Sequence, residues 1–85
     1  MSDGARLTEF VRLVDRLEAR TSGYLTLNAV RAAAGPLVDL VEPALADDLL
    51  LLDHRTRFEP STGEVGPVAV CRLNRHHPLV RELDA

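Results

Sequence analysis

Four side chains with metal-binding chemistry, His54, Cys71, His76 and His77, lie in the C-terminal half of this sequence. A structural zinc site needs four such ligands in a tetrahedron, usually announced by C-x-x-C or H-x-x-x-H spacing. Neither spacing occurs, and the adjacent His76 and His77 point apart along a regular backbone. The expectation is therefore no metal and no cofactor, with Cys71 a small core residue and His77-Pro78 the start of a helix. A metal-dependent switch using His54, His76 and His77 is the remaining metal reading. Ser22, Ser61 and Cys71 are the available nucleophiles, and none sits in a G-x-S-x-G elbow. Glycines are too sparse to build a phosphate-cradling loop. Asp47-Asp48 reads as a pair of capping or solvated acids at a helix–strand junction. A non-enzymatic protein is expected.

The arginines carry more information. Every basic residue is Arg, ten in all against thirteen acids, for a formal net charge of −3. Arg55, Arg57, Arg72 and Arg75 flank a turn-forming stretch, Glu59-Pro60-Ser61-Thr62-Gly63-Glu64. Arginine on a β-ribbon can contact phosphates or enter a minor groove, and it suits carboxylate forks on a protein equally well. Solvation of an exposed strand face is the alternative. Summed by segment, residues 1–35 carry +1, residues 36–53 carry −5, and residues 54–85 carry +1.

These side chains must be held by one small domain, residues 1–85. A hydrophobic fraction of 46% and a charged fraction of 27% describe an ordinary globule, not a collagen-like, disulfide-rich or disordered chain. A lone cysteine allows no internal disulfide, which points to a reducing, cytoplasmic setting. Met1 to Arg6 lacks the basic-then-apolar pattern of a signal peptide. The leucine run Leu49 to Leu52 is far shorter than the ~18–20 residues of a membrane span.

Leu7, Phe10, Val11, Val14 and Leu17 recur at helical spacing, predicting a first helix over Leu7 to Arg20. Asp3 or Thr8 is its candidate cap, and Thr21-Ser22-Gly23 its stop. Gly23 to Asn28 has room for a strand of two or three residues. Thr26 caps a second helix, Leu27 to Ala34, ended by Gly35. A third helical segment, Pro36 to Asp48, is interrupted by Pro43. A break is expected there, with one helix ending near Val41 and a short one from Pro43 to about Asp47. Leu49 to Asn74 reads as a β-hairpin around the polar turn, its second strand running from Val65 to Asn74 with Val68 and Val70 on one face and Ala69, Cys71 and Leu73 on the other. Pro78 opens a terminal helix bearing Leu79, Val80 and Leu83. The expected core is Leu7, Phe10, Val14, Leu17, Leu25, Val30, Leu40, Leu45, Leu50, Val68, Val70 and Leu73.

Three N-terminal helices, a hairpin and a short final helix make an α+β order that resembles the winged-helix superfold. The resemblance covers nearly the whole chain and rests on element order, not on a residue signature. It implies that Pro36 to Asp48 is the recognition helix and Leu49 to Asn74 the wing. That helix is the most acidic part of the chain and offers no Arg, Asn or Gln to base edges, which argues against reading DNA through it. Two functions are expected. The first is a protein–protein module, either adaptor or homodimer, using Leu37, Leu40 and Val41 of the acidic segment, the hairpin arginines, or both. The second is a nucleic-acid-binding regulator working through Arg55, Arg57, Arg72 and Arg75, aided by Arg12 and Arg16.

Overall fold

The computed structural model describes residues 3–84, without the side chains of Asp3 and Asp84. Helix α1 spans Asp3–Thr21 and α2 spans Leu27–Ala34. A 3-10 segment, Gly35–Leu40, leads into α3, Val41–Ala46. Strands β1, Leu50–Glu59, and β2, Glu64–Leu73, form an antiparallel pair, and α4, Pro78–Asp84, closes the chain. The order of helices, hairpin and short helix is compatible with a winged-helix-like topology.

Helix α1 begins four residues before the expected Leu7. Thr8 therefore lies inside it and cannot cap it, while the Asp3 side chain falls outside what is described. Its C-terminus is closed by a Schellman pair: Ser22 takes a left-handed φ of 53°, and the Gly23 N–H donates back to the Glu18 carbonyl at 3.3 Å. Thr26 caps α2 as expected, its hydroxyl accepting from the Ala29 N–H at 3.1 Å. Gly35 ends α2 at φ 55°, ψ −121°, a combination open to glycine and closed to residues with a Cβ.

The third segment does break, but not at Pro43. The 3-10 turn ends at Leu40, and Pro43 sits in the first turn of α3. There its missing N–H forfeits no helical bond, so proline is tolerated rather than disruptive. Asp48, at φ 56°, ends α3 in a second Schellman motif, with Leu49 N–H donating to the Ala44 carbonyl at 2.9 Å and Asp48 N–H to that of Leu45 at 3.3 Å.

Between α1 and α2 the expected short strand is reduced to one bridge, Thr26 to Val70, with the Cys71 N–H donating to the Leu25 carbonyl at 2.8 Å. The hairpin runs in unbroken register from Leu50 opposite Leu73 to Glu59 opposite Glu64. Pro60 to Gly63 form its loop, and left-handed Gly63 (φ 72°) donates to the Glu59 carbonyl at 2.8 Å.

The core lies where α1, α2, α3 and the base of the hairpin meet. Phe10, Val14, Leu25, Val30, Leu50, Val70 and Leu73 are buried as expected. Leu7, Leu17, Leu40, Leu45 and Val68 are half-buried rather than central. Their places are taken by Val11, Ala34, Val41, Ala44, Leu49, Cys71 and Val80. The outer hairpin leaves this body: every side chain from Leu52 to Phe58 is exposed, and the molecule measures 46 × 25 × 23 Å. No helix of the described residues is long and apolar enough to cross a membrane.

Candidate functional surface on the hairpin

Successive strand residues face opposite sides, and directly opposed residues of an antiparallel pair share a side. The register therefore sorts the hairpin into two faces. One carries Asp53, Arg55, Arg57 and Glu59 of β1 with Arg72 and Glu64 of β2. The other carries Leu50, Leu52, His54, Thr56 and Phe58 against Leu73, Cys71, Ala69, Pro67 and Val65. All six charged residues of the two strands thus lie on one face, three arginines among three carboxylates. Toward the body the opposite face enters the core through Leu50, Leu73 and Cys71. Toward the tip it is uncovered and mixed: Leu52, Phe58 and Val65 are 42%, 59% and 64% exposed, His54 and Thr56 separate Leu52 from Phe58, and Phe58 stands directly across from Val65.

Three of the four hairpin arginines named from sequence share the charged face. Arg55 Nε donates to Asp53 Oδ2 at 3.4 Å, while Arg57 and Arg72 form no ion pair among the described residues. Arg75 belongs elsewhere. It lies past the end of β2, and its guanidinium donates to Asp15 Oδ1 at 2.7 Å and Glu18 Oε2 at 2.8 Å. Those contacts tie the chain to α1, so Arg75 leaves the candidate surface.

The apolar segment divides similarly. Val41 is wholly buried in the core and cannot meet a partner, whereas Leu37 and Leu40 are half-buried and Val38 is exposed. Leu37 forms part of an open cleft of about 430 Å³ between α1 and the 3-10 segment, with Leu13, Ala33 and Pro36 beside it and Arg12 and Arg16 at its rim. Outside the cleft, Arg6 forks onto Asp39 at 2.7 and 3.2 Å and holds that carboxyl below its ordinary range.

The titratable groups singled out for metal or nucleophilic chemistry are dispersed. His54 lies mid-hairpin opposite Ala69, while His76 and His77 lie beyond the base. His77 caps α4: its Nδ1 accepts from the Leu79 N–H at 3.1 Å and its Nε2 meets Asp47 Oδ2 at 2.9 Å. Among the described residues no three His, Cys, Asp or Glu side chains converge as metal ligands. Burial, with a smaller contribution from the Glu18 charge, pushes the Cys71 thiol up to about 11, so it is held protonated in the core.

Sequence reasoning missed the exposed Phe58–Val65 pair. The signal was present in the register, since any closure of the loop at Pro60 to Gly63 puts Phe58 and Val65 opposite one another. No protein-family model, curated protein or solved structure matches the chain.

Proposed function

We propose that this chain is a small, non-enzymatic protein–protein interaction module on a winged-helix-like scaffold, working in the cytoplasm through its projecting hairpin. The observation that carries the reading is the exposed apolar pair at the end of the wing, Phe58 and Val65, with Leu52 exposed nearer the base, backed by a face whose charges cancel. A balanced face gives no net attraction to a phosphate backbone, whereas mixed signs complement a protein surface of matching pattern. Leu37, half-buried in the cleft, and Leu40, half-buried against the core, offer a secondary contact.

The shared face of Arg55, Arg57 and Arg72 supports a second reading, nucleic-acid binding through the wing. The two readings separate by experiment. Phe58→Ser with Val65→Thr should abolish capture of a protein partner, while Arg55→Ala with Arg57→Ala leaves duplex DNA binding absent as in the parent. Duplex binding that falls steeply with salt and is weakened by the arginine variant would replace the first reading with the second.

A further inference from the structure

Accepting the interaction-module reading, we propose that the partner of the hairpin is a second copy of this chain, joined edge to edge along β1 in antiparallel register about Arg55.

The two edges of the hairpin are not alike. The Asn74 N–H donates to the Leu49 carbonyl, which makes Leu49 opposite Asn74 a hydrogen-bonded pair. Alternation then turns the backbone groups of Leu52, His54, Thr56 and Phe58 outward from β1, and those of Val65, Pro67, Ala69, Cys71 and Leu73 outward from β2. The β2 edge is guarded. Cys71 N–H is taken by the Leu25 carbonyl, Leu73 N–H by Glu18, and Pro67 has no N–H to offer. The β1 edge has none of these devices: no proline, no glycine, no bulge in its register and no neighbouring strand among the described residues. Such an edge is a template for another strand.

The residues along β1 say which strand fits. Outward-facing residues must oppose outward-facing residues, so a two-fold pairing can shift only in limited steps. With Arg55 on the axis, Leu52 opposes Phe58 of the second copy and His54 opposes Thr56. On the charged face Asp53 opposes Arg57 of the second copy, twice by symmetry. Four opposed pairs exchanging two bonds each supply about eight main-chain hydrogen bonds. Val65, Phe58, and then Leu52 and Cys71 of the second copy, align as one apolar row across four strands, covering the exposed end of the wing. The two Arg55 side chains meet at the axis, where each is already beside its own Asp53 at 3.4 Å. Neighbouring registers fit worse. Centring on Thr56 sets Arg55 against Arg57 and Asp53 against Glu59; centring on His54 also matches charge, Asp53 against Arg55, but sets Leu52 against Thr56 and Leu51 against Arg57 and so loses the apolar match of Leu52 with Phe58.

Light scattering over a concentration series tests this on the full chain. A concentration-dependent dimer is expected, weakened about tenfold or more by Asp53→Arg or Arg57→Asp alone, because each sets like charges opposite one another. Mixing those two variants should restore a mixed dimer, detectable by native mass spectrometry, since Arg then faces Asp at both positions. That recovery also shows that both variants fold. Thr56→Pro should abolish pairing while leaving the hairpin ladder intact, and Arg55→Cys should form an intermolecular disulfide on mild oxidation. A monomer at every concentration, a dimer indifferent to both charge reversals, or failure of the mixture to recover would overturn the pairing. A monomer that still captures another protein through Phe58 and Val65 leaves the module reading standing without the self-association.

Discussion

The Leu73 N–H donates a 2.7 Å hydrogen bond to Glu18 Oε1, joining residues 55 positions apart. The other carboxylate oxygen of Glu18 receives Arg75 at 2.8 Å, so one half-buried side chain of α1 ends the outer edge of β2 and anchors the chain leaving it. The hairpin is thereby fixed to the body at its base while its outer half projects.

Removing this carboxylate should loosen the base of the wing. Glu18→Ala leaves the Leu73 amide without its acceptor and is expected to lower stability by about 1–3 kcal/mol. Glu18→Gln keeps an acceptor oxygen and loses only the ion pair, so its cost should be the smaller. Urea denaturation of the two variants measures the difference, and equal losses would show that the Leu73 bond contributes nothing.

Ser22 and Asp48 end their helices at φ 53° and 56°, a region that L side chains occupy at a cost. Ser22→Gly and Asp48→Gly should each stabilise the fold by about 0.5–1 kcal/mol, with near-additive effects because they close different helices. Thermal melting of the single and double variants gives the comparison.

Cys71 makes stability fall at alkaline pH. Its folded thiol titrates near 11, above the ordinary 9.0, so between these values the unfolded chain loses a proton that the folded chain keeps. The contribution is fully present below pH 9 and is lost as pH rises through 11, amounting to about 3 kcal/mol. Cys71→Ala should be less stable at neutral pH and show a flatter alkaline slope. In the parent protein the thiol should react with a maleimide only as fast as the fold opens.

Arg6 and Asp39 act in the opposite pH direction. The guanidinium lowers the Asp39 pKa, so the stabilisation is present above the ordinary carboxylate range and fades as pH falls through the depressed value. The gap in melting temperature between the parent and Asp39→Asn should be steady near neutrality and close under acid conditions. High salt should narrow it too, since the pair is exposed.

How much of this was legible in the sequence follows from the range of each interaction. Period and punctuation are local, so the order of helices, the Thr26 cap, the hairpin, its loop and the Pro78 helix start could all be read from neighbours along the chain. Parity within each strand already put Arg55 and Arg57 on one face. Pro43 was misjudged because its effect depends on where the helix starts, and the preceding 3-10 turn moved that start to Val41. Arg75 and Val41 had suitable types for a partner surface, yet one is claimed by Asp15 and Glu18 and the other by the core. Those outcomes depend on residues 30 to 60 positions away, which no spacing rule reaches. Chain chemistry alone determined the elements and which side chains share a strand face. Only the tertiary structure decided which of those side chains were already satisfied, because burial and ion pairing are properties of the packed body, and it left the β1 edge without a neighbouring strand and the Phe58–Val65 pair exposed among the described residues.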